Sequence, residues 1–322
     1  MYAAIDIGTN TFRLLIAEIH YNPANQNYSL REIYSERIIT RLGDGISHDA
    51  LIRDSSMHKG LNALKKFSHV ISAHNVTVTS AVATSALRDA MNSNEFISKA
   101  KDISGLDIRT ISGEEEARLT AAGMMIDMAV PDTAMLIDIG GGSTELIYAR
   151  HGVPEHVQSL DLGVVYLTSK YMKSDPPSAQ MINKMEKEIV DIIRSESTAF
   201  DACTCSGASL IGTAGTITTL SAVNLKLKSF EHSRIHNSRL TKQKASNIFS
   251  RICFITSEER AVLIPFEPER LDIIVPGTLI LLKLMERFKS DEIIVSDYGV
   301  REGIILELFK SGEHDIKKEI SN

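Results

Sequence analysis

Cysteine is scarce in this chain. Cys203, Cys205 and Cys253 are few and odd in number, which excludes a disulfide framework, and they are read as reduced thiols of a cytoplasmic protein. The Cys203-Thr204-Cys205 spacing lacks a second ligand pair and makes no metal site by itself. Long apolar runs are missing as well. Nothing approaches the roughly 20 residues that a membrane span needs, and Leu271 to Met285 is interrupted by Pro276, Gly277 and Lys283. The chain enters a strand pattern at once, which leaves no room for a signal peptide, so a cytoplasmic protein with no membrane partner is expected. Nor is there an excess of positive charge. The net charge of −6 argues against a general nucleic-acid or membrane-surface binder, and any polyanionic ligand must be met by a few placed cations.

The 322 residues, 43% of them hydrophobic, suit a globular protein of about two domains. The most informative stretch is AMLIDIGGGSTELIYA, Ala134 to Ala149. It reads as a strand, a run of glycines and a second strand, a hairpin with bare backbone at its tip. Gly140, Gly141 and Gly142 let phosphate oxygens approach the N–H groups of the turn. With the turn centred between Gly141 and Gly142, Asp138 faces Glu145. Two carboxylates about 5 Å apart repel unless a cation or shared proton lies between them. Beside a phosphate-sized turn the pair suggests Mg²⁺, which one or two carboxylates usually hold together with substrate phosphates. The alternative is a pair that merely caps the hairpin. The pattern also opens the chain: Ile5 to Ala17 lies without a gap on Ile137 to Ala149, an internal repeat that divides the molecule into related halves. There Asp6 faces Arg13. The first hairpin is thus either a salt-bridged structural element or a phosphate site using Thr9, Asn10 and Arg13, with Asp6 a further candidate metal ligand.

Strands alternating with helices after each hairpin predict an α/β layer with parallel strands. Spacing at Met57, Leu61, Leu64, Phe67 and Ile71 predicts a helix over Asp54 to Ser72. Capping boxes are predicted at Asn92-x-x-Glu95 and at Ser112 to Glu115, the second leading into a helix from Glu116 to Met128. Glu116, on that first turn, can take a proton from water near a bound phosphate, or it simply suits the helix dipole. Arg88 follows a strand end, where α/β proteins present ligand-binding groups, or it is a solvated surface arginine. Gly212, Gly215 and Thr216 form a short glycine loop at a helix start, a weak phosphate signal on its own. Arg234, His236 and Arg239, with the lone His232, read as plain surface. A final helix ends near Lys310, followed by frayed polar residues.

The segments AAIDIGTNTFRLLIAEI, AVATSALRDA, SGEEEARL, LIDIGGGSTEL, GTAGTITTLSA and VSDYGVREGI, in this order along nearly the whole chain, resemble the exopolyphosphatase and guanosine pentaphosphate phosphohydrolase family. That family falls within the acetate kinase, sugar kinase, Hsp70 and actin superfamily. The resemblance implies two ribonuclease H-like domains, 1–124 and 125–300, a C-terminal helix at about 301–316 packing back on the first, and an active site in the interdomain cleft. It places the catalytic glutamate on Glu116, metal- and water-orienting acids on Asp138 and Glu145, the phosphate loop on Gly140 to Ser143, and a phosphate-binding arginine on Arg88. Thr213-Ala214 departs from the pattern, since relatives more often carry another glycine there. The activity implied is hydrolysis of the terminal phosphoanhydride of inorganic polyphosphate with Mg²⁺. Guanosine pentaphosphate is the second substrate; a sugar-kinase-like phosphotransferase and a non-catalytic alarmone sensor are more distant alternatives. A homodimer is compatible with all of them.

Overall fold

Each copy of the hairpin opens its own sheet. The computed structural model describes every residue except 25–26, 45–49, 130, 202–206 and 321–322, so Cys203 and Cys205 lie outside the described residues. The chain divides into two units, Met1–Asp127 with Val300–Asn322, and Met128–Gly299. In the first, β1 (Tyr2–Ile7), β2 (Thr11–Asn22) and β3 (Asn27–Ile39) form an antiparallel meander. β4 (Val78–Ala83) pairs parallel to β1, and β5 (Ile108–Thr110) parallel to β4, giving the order β3-β2-β1-β4-β5. β1 is buried almost throughout, Asp6 included, as befits a strand covered on both faces.

The helices of this unit are α1 (Asp54–Ala73), α2 (Ser85–Asp89), α3 (Ser93–Ser104) and α4 (Gly113–Met124). All five apolar positions expected of α1 are buried. Both capping boxes differ from expectation. Asn92 turns its amide away from α3 to bridge the backbone of Ile52, accepting from its N–H at 2.9 Å and donating to its carbonyl at 3.0 Å. Ser112 does cap α4, accepting from the Glu115 N–H, but the Glu115 carboxylate is taken by Arg109. α4 also stops short of the predicted Met128. Asp127 adopts a left-handed φ of 60°, donates its N–H to the Tyr28 carbonyl and accepts from the Leu30 N–H, so the chain is tied to β3 where the helix would have continued.

In the second unit β6 (Thr133–Ile139), β7 (Thr144–Arg150) and β8 (Val153–Leu160) repeat the meander. After α5 (Val164–Tyr171) and α6 (Ala179–Glu196) come β9 (Ser209–Thr213), α7 (Ala214–Asn224), the short α8 (His232–Ile235) and β10 (Arg239–Thr241). α9 (Lys242–Ile252), α10 (Ser257–Leu263), α11 (Ile274–Arg287) and β11 (Glu292–Val295) complete it. The sheet order is β10-β11-β9-β6-β7-β8, the first sheet's arrangement with β10 added at the far edge. β9 runs directly into α7, so the predicted loop of Gly212 to Thr216 is a strand end and a helix start. The last helix, α12 (Val300–Ile320), belongs to the first unit and extends ten residues beyond the predicted Lys310. It crosses α4 so closely that a Cβ on Gly303 would lie 1.9 Å from the Leu119 carbonyl oxygen.

Candidate active site

The two hairpins share a tight turn. Gly140 donates its N–H to the Ser143 carbonyl at 2.9 Å, and the equivalent Gly8 donates to Thr11 at 3.2 Å. A Cβ at either glycine would sit about 3 Å from that same carbonyl oxygen, at 2.9 and 3.0 Å. The register is the expected one: Asp138 pairs with Glu145, and Asp6 with Arg13. In the second hairpin the N–H groups of Val164 and Val165, at the start of α5, donate to the carbonyls of Gly140 and Gly141. The carbonyls of Gly140 and Gly141 are thereby occupied. Among the described residues no acceptor meets the N–H groups of Gly141, Gly142 or Ser143. Neighbouring N–H groups without acceptors at a turn are groups that an anion can meet.

The carboxylate of Glu145 is held asymmetrically. Its Oε1 accepts from the hydroxyls of Ser143 at 2.6 Å and Ser159 at 3.0 Å, while Oε2 lies 4.0 Å from the place of a Cβ on Gly140, facing the turn. One oxygen is thus fixed by hydroxyls and the other is directed at the glycines. Asp138 is half-buried opposite it. Among the described residues no group of three or more His, Cys, Asp or Glu forms a cluster able to hold a metal. Two facing carboxylates with one oxygen turned toward a phosphate-sized concavity do match what Mg²⁺ takes from a protein when phosphate completes its shell.

In the first unit Thr9 and Asn10 have their carbonyls occupied by the N–H groups of Gly43, Thr40 and Arg41. The Thr9 hydroxyl is 2.7 Å from that of Ser85, the first residue of α2. α2 carries Arg88, whose Nη1 donates to the Ile111 carbonyl at 2.9 Å and lies 3.6 Å from Glu116 Oε2. β4 and β5 are parallel neighbours, and each delivers one of these residues just past its carboxyl end. The residue spacing left Arg88 and Glu116 as unrelated candidates; the fold makes them a pair, both about a third exposed. Asp6, in contrast, is nearly buried. Burial raises its carboxyl above the usual range, more than the charges of Arg13 and Arg301 lower it.

The residues of the predicted second loop are dispersed. Gly212 lies in the core of β9, where a Cβ would meet Ile293 and Ile217 at 2.5 and 2.6 Å. Thr216 is buried, with its hydroxyl 2.3 Å from the place of a Cβ on Gly277. Gly215, on the first turn of α7, is covered by the guanidinium of Arg270, which donates through Nε to Glu267 at 3.0 Å. Arg270 escaped the sequence reading; the one available sign was a glycine at a helix start, which leaves room for a neighbour. The basic cluster also separates. Arg234 and Arg239 form surface pairs with Glu231 and Glu292, whereas His232 hydrogen-bonds Asp297 and His236 stacks on Tyr298. Those two histidines are not the plain surface expected of them.

Each α/β unit thus opens on a hairpin of the same register, and one of the two has facing acids at its turn. Residues 23–312 match the model of the Ppx/GppA phosphatase family, and the chain belongs to that family, which has the actin and Hsp70-like ATPase superfamily fold. It is 31% identical over 316 residues to exopolyphosphatase 2 of Mycobacterium tuberculosis, covering 95% of this chain and 98% of that one. It is 32% identical to the bifunctional 3-dehydroquinate synthase/phosphatase of Fusobacterium nucleatum, of which it spans 46%. The crystal structure of the Aquifex aeolicus Ppx/GppA phosphatase superposes with a TM-score of 0.81 at 30% identity, covering 95% of this chain and 98% of that one.

Proposed function

We propose that the chain hydrolyses the terminal phosphoanhydride of inorganic polyphosphate and releases orthophosphate. The observation that carries this reading is the second hairpin, where three N–H groups that meet no acceptor among the described residues adjoin two facing carboxylates. Similarity to an exopolyphosphatase along almost its full length supports it. We read both units as ribonuclease H-like, because they share the strand order described above. Glu116 orients water and takes its proton as the new P–O bond forms and the bridging P–O bond breaks, the electron pair leaving with the shortened chain. Arg88 steadies Glu116 and compensates charge on the transferred group. The N–H groups of Gly141, Gly142 and Ser143 hold the end phosphate. Asp138 and Glu145 would hold Mg²⁺, with Asp6 a further candidate ligand; bound there, the ion neutralises phosphate charge.

Guanosine pentaphosphate presents the same terminal group and is the alternative substrate. Phosphate release from polyphosphate, guanosine pentaphosphate and ATP, followed side by side with and without Mg²⁺, tests the reading. Release from polyphosphate that depends on Mg²⁺ is expected. Release from guanosine pentaphosphate alone would move the assignment to the alternative, and none from either would overturn both.

A further inference from the structure

His232 and Asp297 are 65 residues apart and meet through Nδ1 and Oδ2. The carboxylate is 11% exposed and the imidazole 59%, so a nearly buried acid grips one edge of a ring that stands in solvent. The acid is itself fixed. The Asp297 N–H donates to His236 Nδ1 at 3.2 Å, and His236 stacks on Tyr298 with centroids 4.1 Å apart. The Tyr298 carbonyl accepts from the Thr213 hydroxyl at 2.9 Å. Phe230 meets the His232 ring edge to face at 4.9 Å. Surface ion pairs are usually single and loose and contribute little; this one is braced from both sides, which is the arrangement that fixes an imidazole's direction.

Its place in the sheet gives the brace a purpose. Asp138 pairs with Thr213 across β6 and β9, Val295 pairs with Gly212 across β11 and β9, and Ser296 donates its N–H to the Gly212 carbonyl. Asp138, Thr213 and Asp297 therefore emerge at the carboxyl ends of three adjacent parallel strands. Two strand spacings of about 4.8 Å separate β6 from β11, roughly 10 Å, a span that takes a chain of more than three phosphates.

We propose that His232, held by Asp297, is a phosphate-binding residue that contacts an interior phosphate of the substrate while the Gly140–Ser143 turn holds the end group. This rests on the reading of the second hairpin as a phosphate site. Asp297 is a positioning residue: its carboxylate meets Nδ1, which sets Nε2 on the opposite edge of the ring. The Asp297 backbone also meets His236, which stacks on Tyr298, and the segment that carries His232 holds the Glu231–Arg234 ion pair.

Calorimetry with linear hexapolyphosphate and with orthophosphate, in the absence of Mg²⁺ and at about pH 6 and about pH 8 on either side of the ordinary histidine value, tests the proposal. The wild-type protein is expected to bind hexapolyphosphate more tightly at the lower pH. His232→Gln should lower that affinity roughly tenfold, the size of one lost charge-assisted contact, and remove the pH difference. It should leave orthophosphate binding as it was. His232→Arg should bind alike at both pH values, which also guards against a variant that merely misfolds. Asp297→Asn, which weakens the grip on Nδ1, should lower the affinity in the same direction as His232→Gln and by a smaller factor. Turnover assays of His232→Gln should show KM rising by a larger factor than kcat falls. Wild-type hexapolyphosphate affinity in His232→Gln at the lower pH would overturn the proposal even if polyphosphate is hydrolysed. Loss of affinity in a protein that hydrolyses nothing would instead overturn the assigned reaction and leave the contact standing.

Discussion

Ala214 carries a φ of +68° at the junction of β9 and α7. A residue with a Cβ pays roughly 1–2 kcal/mol in that region, because the Cβ crowds the following carbonyl. Glycine there avoids the penalty but adds roughly 0.5–1 kcal/mol of backbone freedom to the unfolded chain. Ala214 is only half-buried, so losing its methyl costs a fraction of the ~0.8 kcal/mol assigned to a fully buried carbon. Ala214→Gly is therefore expected to stabilise the protein by about 0.5 kcal/mol, a rise of about 1–2 °C in Tm for a unit of this size. Ala214→Val should act in the opposite direction by more than about 1 kcal/mol, since a β-branched side chain is a true outlier at positive φ. Urea unfolding of the three proteins, with m unchanged, gives the ordering directly. Should the glycine variant unfold at lower urea than the wild type, the methyl matters more than the strain and the argument fails.

Gly303→Ala should destabilise the protein by roughly 2–3 kcal/mol, because the new methyl meets a backbone carbonyl that cannot rotate away; an unchanged thermal melt would mean that α4 and α12 can separate freely. Glu116→Gln keeps the size of the side chain but removes the proton acceptor, so turnover should fall by about 10² to 10⁴ with the fold intact; near wild-type turnover would return Glu116 to a helix-start role. Asp138→Asn and Glu145→Gln should each shift the Mg²⁺ titration of activity to higher concentration, and identical titrations would remove the facing-pair argument. The carboxyl of Asp6 is raised by burial, so its folded-state value exceeds the unfolded one. Its favourable contribution is therefore present below the unfolded value and lost as pH rises through the folded one. Asp6→Asn should accordingly be at least as stable as the wild type at neutral pH and lose its relative advantage in acid. A variant distinctly less stable at neutral pH would show that pairing with Arg13 and Arg301 outweighs burial.

What the residues disclosed before folding was what a hairpin or a single helix decides locally. The pairing of Asp138 with Glu145 and of Asp6 with Arg13 follows from turn position and the two-residue period, and the buried face of α1 from helical spacing. β8 escaped notice because its run VPEHVQSL is mostly exposed and lacks an apolar face, and the three-residue β10 is too short to show any period. The pairing of Arg88 with Glu116 depends on which strands become neighbours, and no residue near either one encodes that. The same divide separates the glycines. At Gly8 and Gly140 the atom that excludes a Cβ is a carbonyl three residues along the chain, so the reason is local and readable. At Gly212, Gly215, Gly277 and Gly303 it belongs to Ile293, Arg270, Thr216 and Leu119 respectively, residues brought there by tertiary packing. A glycine next to a helix start therefore reads equally well as a phosphate loop or as room for a neighbour. Gly215, covered by the Arg270 guanidinium, shows that the neighbour can itself be a cation at the mouth of the helix, so the two readings need not exclude each other.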